Sequence, residues 1–182
     1  LEMGGAERSL LELTARLDSN LFTSLVVSVY RGAALQSRFS AHGIAVRCLD
    51  IPKKYAPVRA VRETLAILRE FHPDLIHTTL FRANQIGRLL SLVTGVPLIC
   101  TWSGATYAPE RRQFDSQISP RKFRLQQLVD TLTARRVTRF HAVSRCICDQ
   151  NRSDLRIPRS SITVVPRRRD VEEEEVLEDA CW

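Results

Sequence analysis

Gly4 and Gly5, in the run Met3-Gly4-Gly5-Ala6-Glu7-Arg8, stand directly before a helical pattern. Glycines at such a point let backbone N–H groups approach a phosphate closely, and the positive end of the helix dipole favours its charge. A plain strand-to-helix turn asks for the same residues, so on physics alone the two readings weigh equally. The run is not a Walker loop, because no Gly-Lys-Ser/Thr follows. His77 closes the apolar segment Leu75-Ile76 and offers a ring nitrogen to a ligand or a hydrogen bond that ends a strand. Asn84 opens the next helix, where its amide either orients a sugar hydroxyl or satisfies loop backbone. Ser144 precedes Arg145-Cys146-Ile147-Cys148 and suits an N-cap. The five cysteines (Cys48, Cys100, Cys146, Cys148, Cys181) lack zinc-site spacing, since Cys146-x-Cys148 has no second pair. No metal site is expected, and reduced thiols in a cytoplasmic protein are.

The elements that must position these groups alternate along the chain. Ala6, Leu10, Leu13 and Leu17 fall on one helical face. Ser24 to Tyr30 is a β-branched run ended by Arg31-Gly32, and a helix over 34–42 closes at Gly43. Ile44 to Leu49 reads as a strand stopped by Pro52. Val58, Val61, Leu65 and Leu68 stripe the next helix, then Pro73-Asp74 leads into the strand 75–80. Ile86, Leu89, Leu90 and Val93 stripe a helix ended by Gly95, and Pro97 to Thr101 is a strand. Beyond the polar stretch 103–120, Leu125, Leu128, Val129 and Leu132 stripe a longer helix. Arg139 to Ser144 and Ser161 to Val165 are the last strands. Such alternation predicts an α/β fold, a Rossmann-like, mostly parallel sheet with helices on both faces. Ligands in such sheets bind beyond the carboxyl ends of the strands, which is where Gly4-Gly5, Arg31-Gly32, His77 to Asn84, Thr101 to Thr106 and Ser144 fall.

At 182 residues and 44% hydrophobic content the chain suits one folded domain. No apolar run approaches the roughly 18–20 residues of a membrane-spanning helix. The formal charge of +7 conceals an asymmetry. Residues 171–182 hold six acids and no Lys or Arg, so the remainder sets 27 basic residues against 14 of the 20 acids. The basic segment from Arg111 to Arg139, with Tyr107, Phe114, Phe123 and Phe140 interspersed, suits anionic lipid headgroups. Solvated surface arginine explains it as well. A nucleic-acid surface is not expected, as no binding motif accompanies the charge.

Gly4-Gly5-Ala6-Glu7-Arg8-Ser9-Leu10-Leu11-Glu12-Leu13 resembles the opening of the nucleotide-sugar glycosyltransferases classed as family 4. The resemblance continues through Arg69-x-x-x-Pro73-Asp74-Leu75-Ile76-His77-Thr78, Ala83-Asn84-x-x-Gly87-Arg88 and Gly95-Val96-Pro97. It runs on through Ala142-Val143-Ser144, Ile157-Pro158 and Ile162-Thr163-Val164-Val165-Pro166, in the family's order. It implies the N-terminal, acceptor-side half of a two-domain GT-B fold, over residues 1–166. The implied reaction moves a sugar from a nucleotide-diphosphate donor to a carbohydrate or lipid-linked acceptor with retention, without an obligatory metal or cofactor. Gly4 and Gly5 would meet the donor diphosphate or the acceptor's reacting end, and His77, Asn84, Ser103 and Ser144 would line the same cleft.

Two departures stand out. Many relatives have a His where this chain has Thr79, and another where it has Ser103, whose hydroxyl donates one hydrogen bond but carries no charge. Pro166 leads into Arg167-Arg168-Arg169-Asp170 and the acidic tail, in place of the family's hinge. The expectations are that the first strand of the sheet is missing, that residues 167–182 form a disordered or aberrant tail, and that the chain alone is inactive without a nucleotide-binding domain. A non-catalytic binding module that kept the scaffold is the alternative, and a basic module for a membrane surface or nucleic acid a second one. A cytoplasmic location, peripheral at an anionic membrane, fits the leading reading.

Overall fold

The computed structural model describes residues 5–30, 36–52, 56–108 and 119–166. Gly4, Arg31-Gly32, Arg111, Arg112, Phe114 and residues 167–182 lie outside them. The chain divides into two compact units, with the boundary in sequence between Pro73 and Asp74.

In the first unit, α1 (Gly5–Ala15), β1 (Leu25–Tyr30), α2 (Gln36–Ala41), β2 (Ala45–Ile51) and α3 (Ala56–Phe71) follow in order. β1 and β2 are parallel neighbours, with Val26 opposite Val46. Val26, Phe39 and Ile44 form a buried cluster, against which Leu10, Leu11 and Val46 pack. Residues with β-branched side chains favour the strands, while the i, i+1 pair Leu10-Leu11 turns one side of α1 onto that cluster. Leu13 and Val58, expected to face inward, are exposed. In α3 the fully buried position is Ala60, with Thr64 one turn on, so the inward face lies beside the one that spacing alone suggests.

The second unit runs β3 (Ile76–Thr79), α4 (Phe81–Thr94), β4 (Leu98–Trp102), α5 (Pro120–Ala134), β5 (Arg139–Ala142), α6 (Arg145–Leu155), a 3-10 turn (Arg159–Ser161) and β6 (Ile162–Val164). All four strands pair in parallel in the order β3-β4-β5-β6. Each parallel step needs a crossover helix, and α4, α5 and α6 supply the three. Ile76, Leu98, Cys100, Phe140, Ala142 and Ile162 make a buried apolar layer. Trp102 stacks on Phe140 with ring centroids 4.3 Å apart.

α4 sits close to the sheet because of one glycine. A Cβ on Gly87 would come within 2.5 Å of Thr78 Cγ2 and 3.1 Å of Leu98 Cδ1. Gly95 ends the helix at φ 76°, and its N–H bonds to the Ser91 carbonyl, the αL cap that glycine adopts without a Cβ penalty.

The inward faces of α4 and α5 correct the periodicity reading. Ile86 and Leu90 are buried as expected, but Leu89 and Val93 are exposed. On α5 all four stripe residues, Leu125, Leu128, Val129 and Leu132, face solvent. The inward residues are Asp130 and Ala134. The reason is electrostatic. Arg88 of α4 is 3% exposed and donates to Asp130 Oδ1 at 2.8 Å, and Tyr107 Oη donates to Asp130 Oδ2 at 2.7 Å. A buried cation must have its partner, and turning Asp130 toward Arg88 leaves the leucines half a turn away on the outside.

Cys48, Cys100 and Cys148 are free thiols. Cys146 is disulfide-bonded, which departs from the expectation of reduced thiols. No helix among the described residues is long and apolar enough to cross a membrane.

Candidate functional site

The carboxyl ends of β3, β4 and β5 carry a polar row on one face of the second sheet. Parallel register sets Thr79 opposite Thr101 and Thr101 opposite His141. Because side chains alternate across a strand, His77, Thr101 and His141 point to the same side. His77 Nε2 lies 2.8 Å from Thr101 Oγ1, and Thr101 Oγ1 lies 3.2 Å from His141 Nδ1. The far end is fixed by His141 Nε2, 3.2 Å from the Val165 carbonyl.

A carbonyl only accepts, so with both rings neutral it assigns every proton in the row. His141 carries its hydrogen on Nε2, leaving Nδ1 to accept from the Thr101 hydroxyl. The Thr101 oxygen then accepts from His77 Nε2–H. His77 Nδ1 is left with a lone pair and no protein partner among the described residues. Loss of hydration, then the nearby His141, lowers the His77 pKa. Solvent still reaches His77, so the lowering carries less weight than the hydrogen-bond geometry. Neutral His77 thus presents an acceptor to a hydroxyl arriving at the strand ends.

Asn84 is held behind this row. It is 4% exposed, accepts from Thr78 Oγ1 at 2.8 Å and donates through Nδ2 to the Thr101 carbonyl at 3.1 Å. Its amide therefore ties α4 to β3 and β4, with both ends engaged. Together with the close approach at Gly87 and the ion pair of Arg88, this gives the run Ala83-Asn84-x-x-Gly87-Arg88 a packing role at each of its three polar or glycine positions.

Leu80 joins β3 to α4 at φ 78°, ψ 152°, a region that is almost exclusively glycine's. The strain sits three residues after His77, where β3 ends. Asp50, His72 and Arg156 also hold positive φ.

Ser103, half-buried, begins the segment after β4. That segment is fastened from two sides. Asn151 of α6, fully buried, accepts from Thr106 N–H at 3.0 Å and donates to the Gly104 carbonyl at 3.0 Å. Tyr107 anchors on Asp130 and meets Phe81 and Phe123 edge-on. Ser144, at the end of the neighbouring strand, caps α6: its Oγ accepts from Ile147 N–H at 3.2 Å, in keeping with the N-cap reading. Val143 N–H bonds to the Trp102 carbonyl, so the starts of these two segments are adjacent. Gly5 begins α1 in the first unit, where a Cβ would meet open space.

The second unit thus joins His77 and Asn84 through Thr101 and sets Ser103 and Ser144 after adjacent strands. His141, Asn151 and Asp130 escaped the reading from sequence, which had Thr101 only as the start of a candidate loop and Tyr107 only as an aromatic of the basic segment. His141 and Thr101 could have been found by writing the strands in parallel register. Asn151 could have been found as the polar residue at helical spacing between buried Cys148 and Leu155. Among the described residues no group of three or more His, Cys, Asp or Glu is placed to hold a metal.

The sequence pattern of the glycosyl transferase 4-like domain matches residues 4–168. The fold resembles that of a glycosyltransferase from Rickettsia africae ESF-5, at 19% identity and a TM-score of 0.66, over 92% of this chain and 40% of that one. It also resembles Acinetobacter baumannii MurG, at 13% identity and a TM-score of 0.60, over 94% of this chain and 45% of that one. A third likeness is to the UDP-GlcNAc 2-epimerase of Neisseria meningitidis bound to UDP-GlcNAc, at 12% identity and a TM-score of 0.56, over 87% and 42%. No curated protein sequence matches the chain. The chain spans less than half the length of each of these structures.

Proposed function

The chain belongs to the glycosyl transferase 4-like domain family, and on that premise we propose that it is the acceptor-binding half of a glycosyltransferase. The reaction is transfer of a sugar from a nucleotide-diphosphate donor to a carbohydrate or lipid-linked acceptor, with retention of anomeric configuration. The observation that carries this is the family match over residues 4–168. The bound UDP-GlcNAc named for the epimerase of the same fold is consistent with a nucleotide-sugar ligand. No metal or organic cofactor enters the proposal, the nucleotide sugar being substrate.

In this reading His77 Nδ1 accepts a hydrogen bond from a sugar hydroxyl. Thr101 and His141 are positioning residues that hold the ring and its tautomer. Ser103 donates at the neighbouring strand end, where its fastened segment limits the entropy lost on binding. Gly4 and Gly5 meet a phosphate or the reacting end of the acceptor. Asn84 and Ser144 serve the site by fixing backbone. The setting is the cytoplasmic side of an anionic membrane. Thr79 and Ser103, standing where many relatives have histidine, favour as second reading a binding module without turnover.

The test is a titration of the 182-residue chain with UDP- and GDP-sugars and with mono- and disaccharide acceptors, followed by NMR at the His77 imidazole. A saturable shift with a sugar ligand, abolished in Thr101→Val and accompanied by no sugar transfer from the chain alone, is the expected result. No response to any of these ligands would count against the family-based assignment. Turnover by the 182 residues alone would refute the half-enzyme reading.

A further inference from the structure

α5 carries its aliphatic side chains on the outside. Its inward side holds Asp130, tied to Arg88 and Tyr107, and Ala134. Its outward side holds Leu125, Leu128, Val129 and Leu132, which are 61%, 56%, 47% and 55% exposed. Arg121, Lys122 and Arg124 at its start and Arg135 and Arg136 at its end are exposed as well. None of these five makes an ion pair among the described residues. Asp130 is the helix's one acid and faces away, so the outer side carries four aliphatics, five cations and no anion.

The neighbouring helix extends this surface. Gln85 and Arg88 of α4 reach Asp130 and Thr133 of α5, which sets the two helices side by side. The outward residues of α4 include Leu89, Leu92 and Val93, all exposed.

We propose that the outward face of α5, with the adjoining aliphatics of α4, docks on an anionic lipid bilayer. Aliphatic side chains enter the boundary between headgroups and acyl chains while arginine and lysine stems reach back to the phosphates. Each basic residue near an anionic surface strengthens partition about fivefold. A second copy of the chain fits poorly, since matching this face with itself sets cations against cations. Single-stranded nucleic acid is usually met by aromatic stacking side chains, whereas this face is aliphatic. The proposal takes only its setting, a lipid-linked acceptor at a membrane, from the glycosyltransferase reading. Vesicle binding needs neither donor nor acceptor, so its failure would leave the sugar-binding test intact.

The experiment is flotation of the 182-residue chain with vesicles of equal parts phosphatidylglycerol and phosphatidylcholine, and with pure phosphatidylcholine. Binding to the anionic vesicles is expected to exceed binding to the neutral ones at least tenfold and to weaken between about 0.1 and 0.5 M salt as screening sets in. Arg121→Gln with Arg124→Gln should weaken it about 25-fold, and Leu125→Gln with Leu132→Gln at least tenfold. These side chains are exposed, so unchanged thermal melts will show that the variants fold. Absence of vesicle binding would overturn the proposal, as would equal binding by the leucine variant. A dimer in sedimentation that the leucine variant abolishes, without vesicle binding, would assign the face to a second copy. Polynucleotide binding that survives the leucine changes, again without vesicle binding, would assign it to nucleic acid.

Discussion

The ion pair between Arg88 and Asp130 dictates which way α5 faces, so breaking it should be the most damaging polar substitution in the second unit. Both side chains are almost fully buried, at 3% and 2%. Arg88 also donates to the Asp130 carbonyl at 3.3 Å and to Thr133 Oγ1 at 3.5 Å, and its guanidinium lies 5.9 Å from the centre of the Phe140 ring. Arg88→Met leaves the carboxylate with the Tyr107 hydroxyl and a long contact from Gln85. Asp130→Leu leaves a guanidinium with no counter-charge. Removing one partner of a buried pair costs about 3–5 kcal/mol, because the other charge stays desolvated. The double variant removes both charges and should recover about 2–3 kcal/mol relative to the sum of the single losses. Arg47 and Glu70, 59% and 68% exposed, provide the contrast: Arg47→Gln should cost less than about 1 kcal/mol. Urea unfolding followed by Trp102 fluorescence suits the measurement, with Trp182→Phe in the background, because Trp102 stacks on Phe140 beneath Arg88. Single losses below about 1 kcal/mol, or additivity within about 0.5 kcal/mol, would refute the argument that this pair sets the helix.

Gly87→Ala should destabilise the second unit by about 1–2 kcal/mol in the same assay, since the Cβ clash with Thr78 outweighs the roughly 1 kcal/mol helix-propensity gain; a stabilised variant would show that α4 can retreat freely. Leu80→Gly should stabilise by up to about 1 kcal/mol, the relief of φ strain at an exposed position less the entropy of glycine, and a loss of stability would mean that the leucine side chain matters more than the strain. The His77 ring should titrate below the ordinary histidine value of about 6.5. On acidification the unfolded chain protonates first, so stability present at neutral pH falls as pH drops through that value and levels off once the folded ring is charged. Thr101→Val should free the His77 ring from its fixed tautomer, seen as a changed ratio of Nδ1–H to Nε2–H in nitrogen NMR; unchanged tautomers would show that the bridging hydroxyl assigns no protons.

Much of the fold was legible in the chain because it depends on neighbours in sequence. The strands at Leu25, Ile76, Leu98 and Arg139 follow from short apolar runs bounded by turn residues, and Gly95 and Ser144 end and begin helices as their chemistry requires. The alternation of strands and helices determined the parallel α/β class, and the ordered blocks from Gly4 to Pro166 determined the family. Tertiary structure decided the rest. Leu125, Leu128, Val129 and Leu132 have the spacing of a core stripe, yet a charge on another helix turned them outward. Periodicity identifies which residues share a face, but only the energy of a buried guanidinium says which face goes in. His77 was visible as a strand-end histidine, while Thr101 and His141 lie 24 and 40 positions away from the residues they bond. Which of them meet depends on the parallel register of three strands, and no local pattern in the sequence encodes that register.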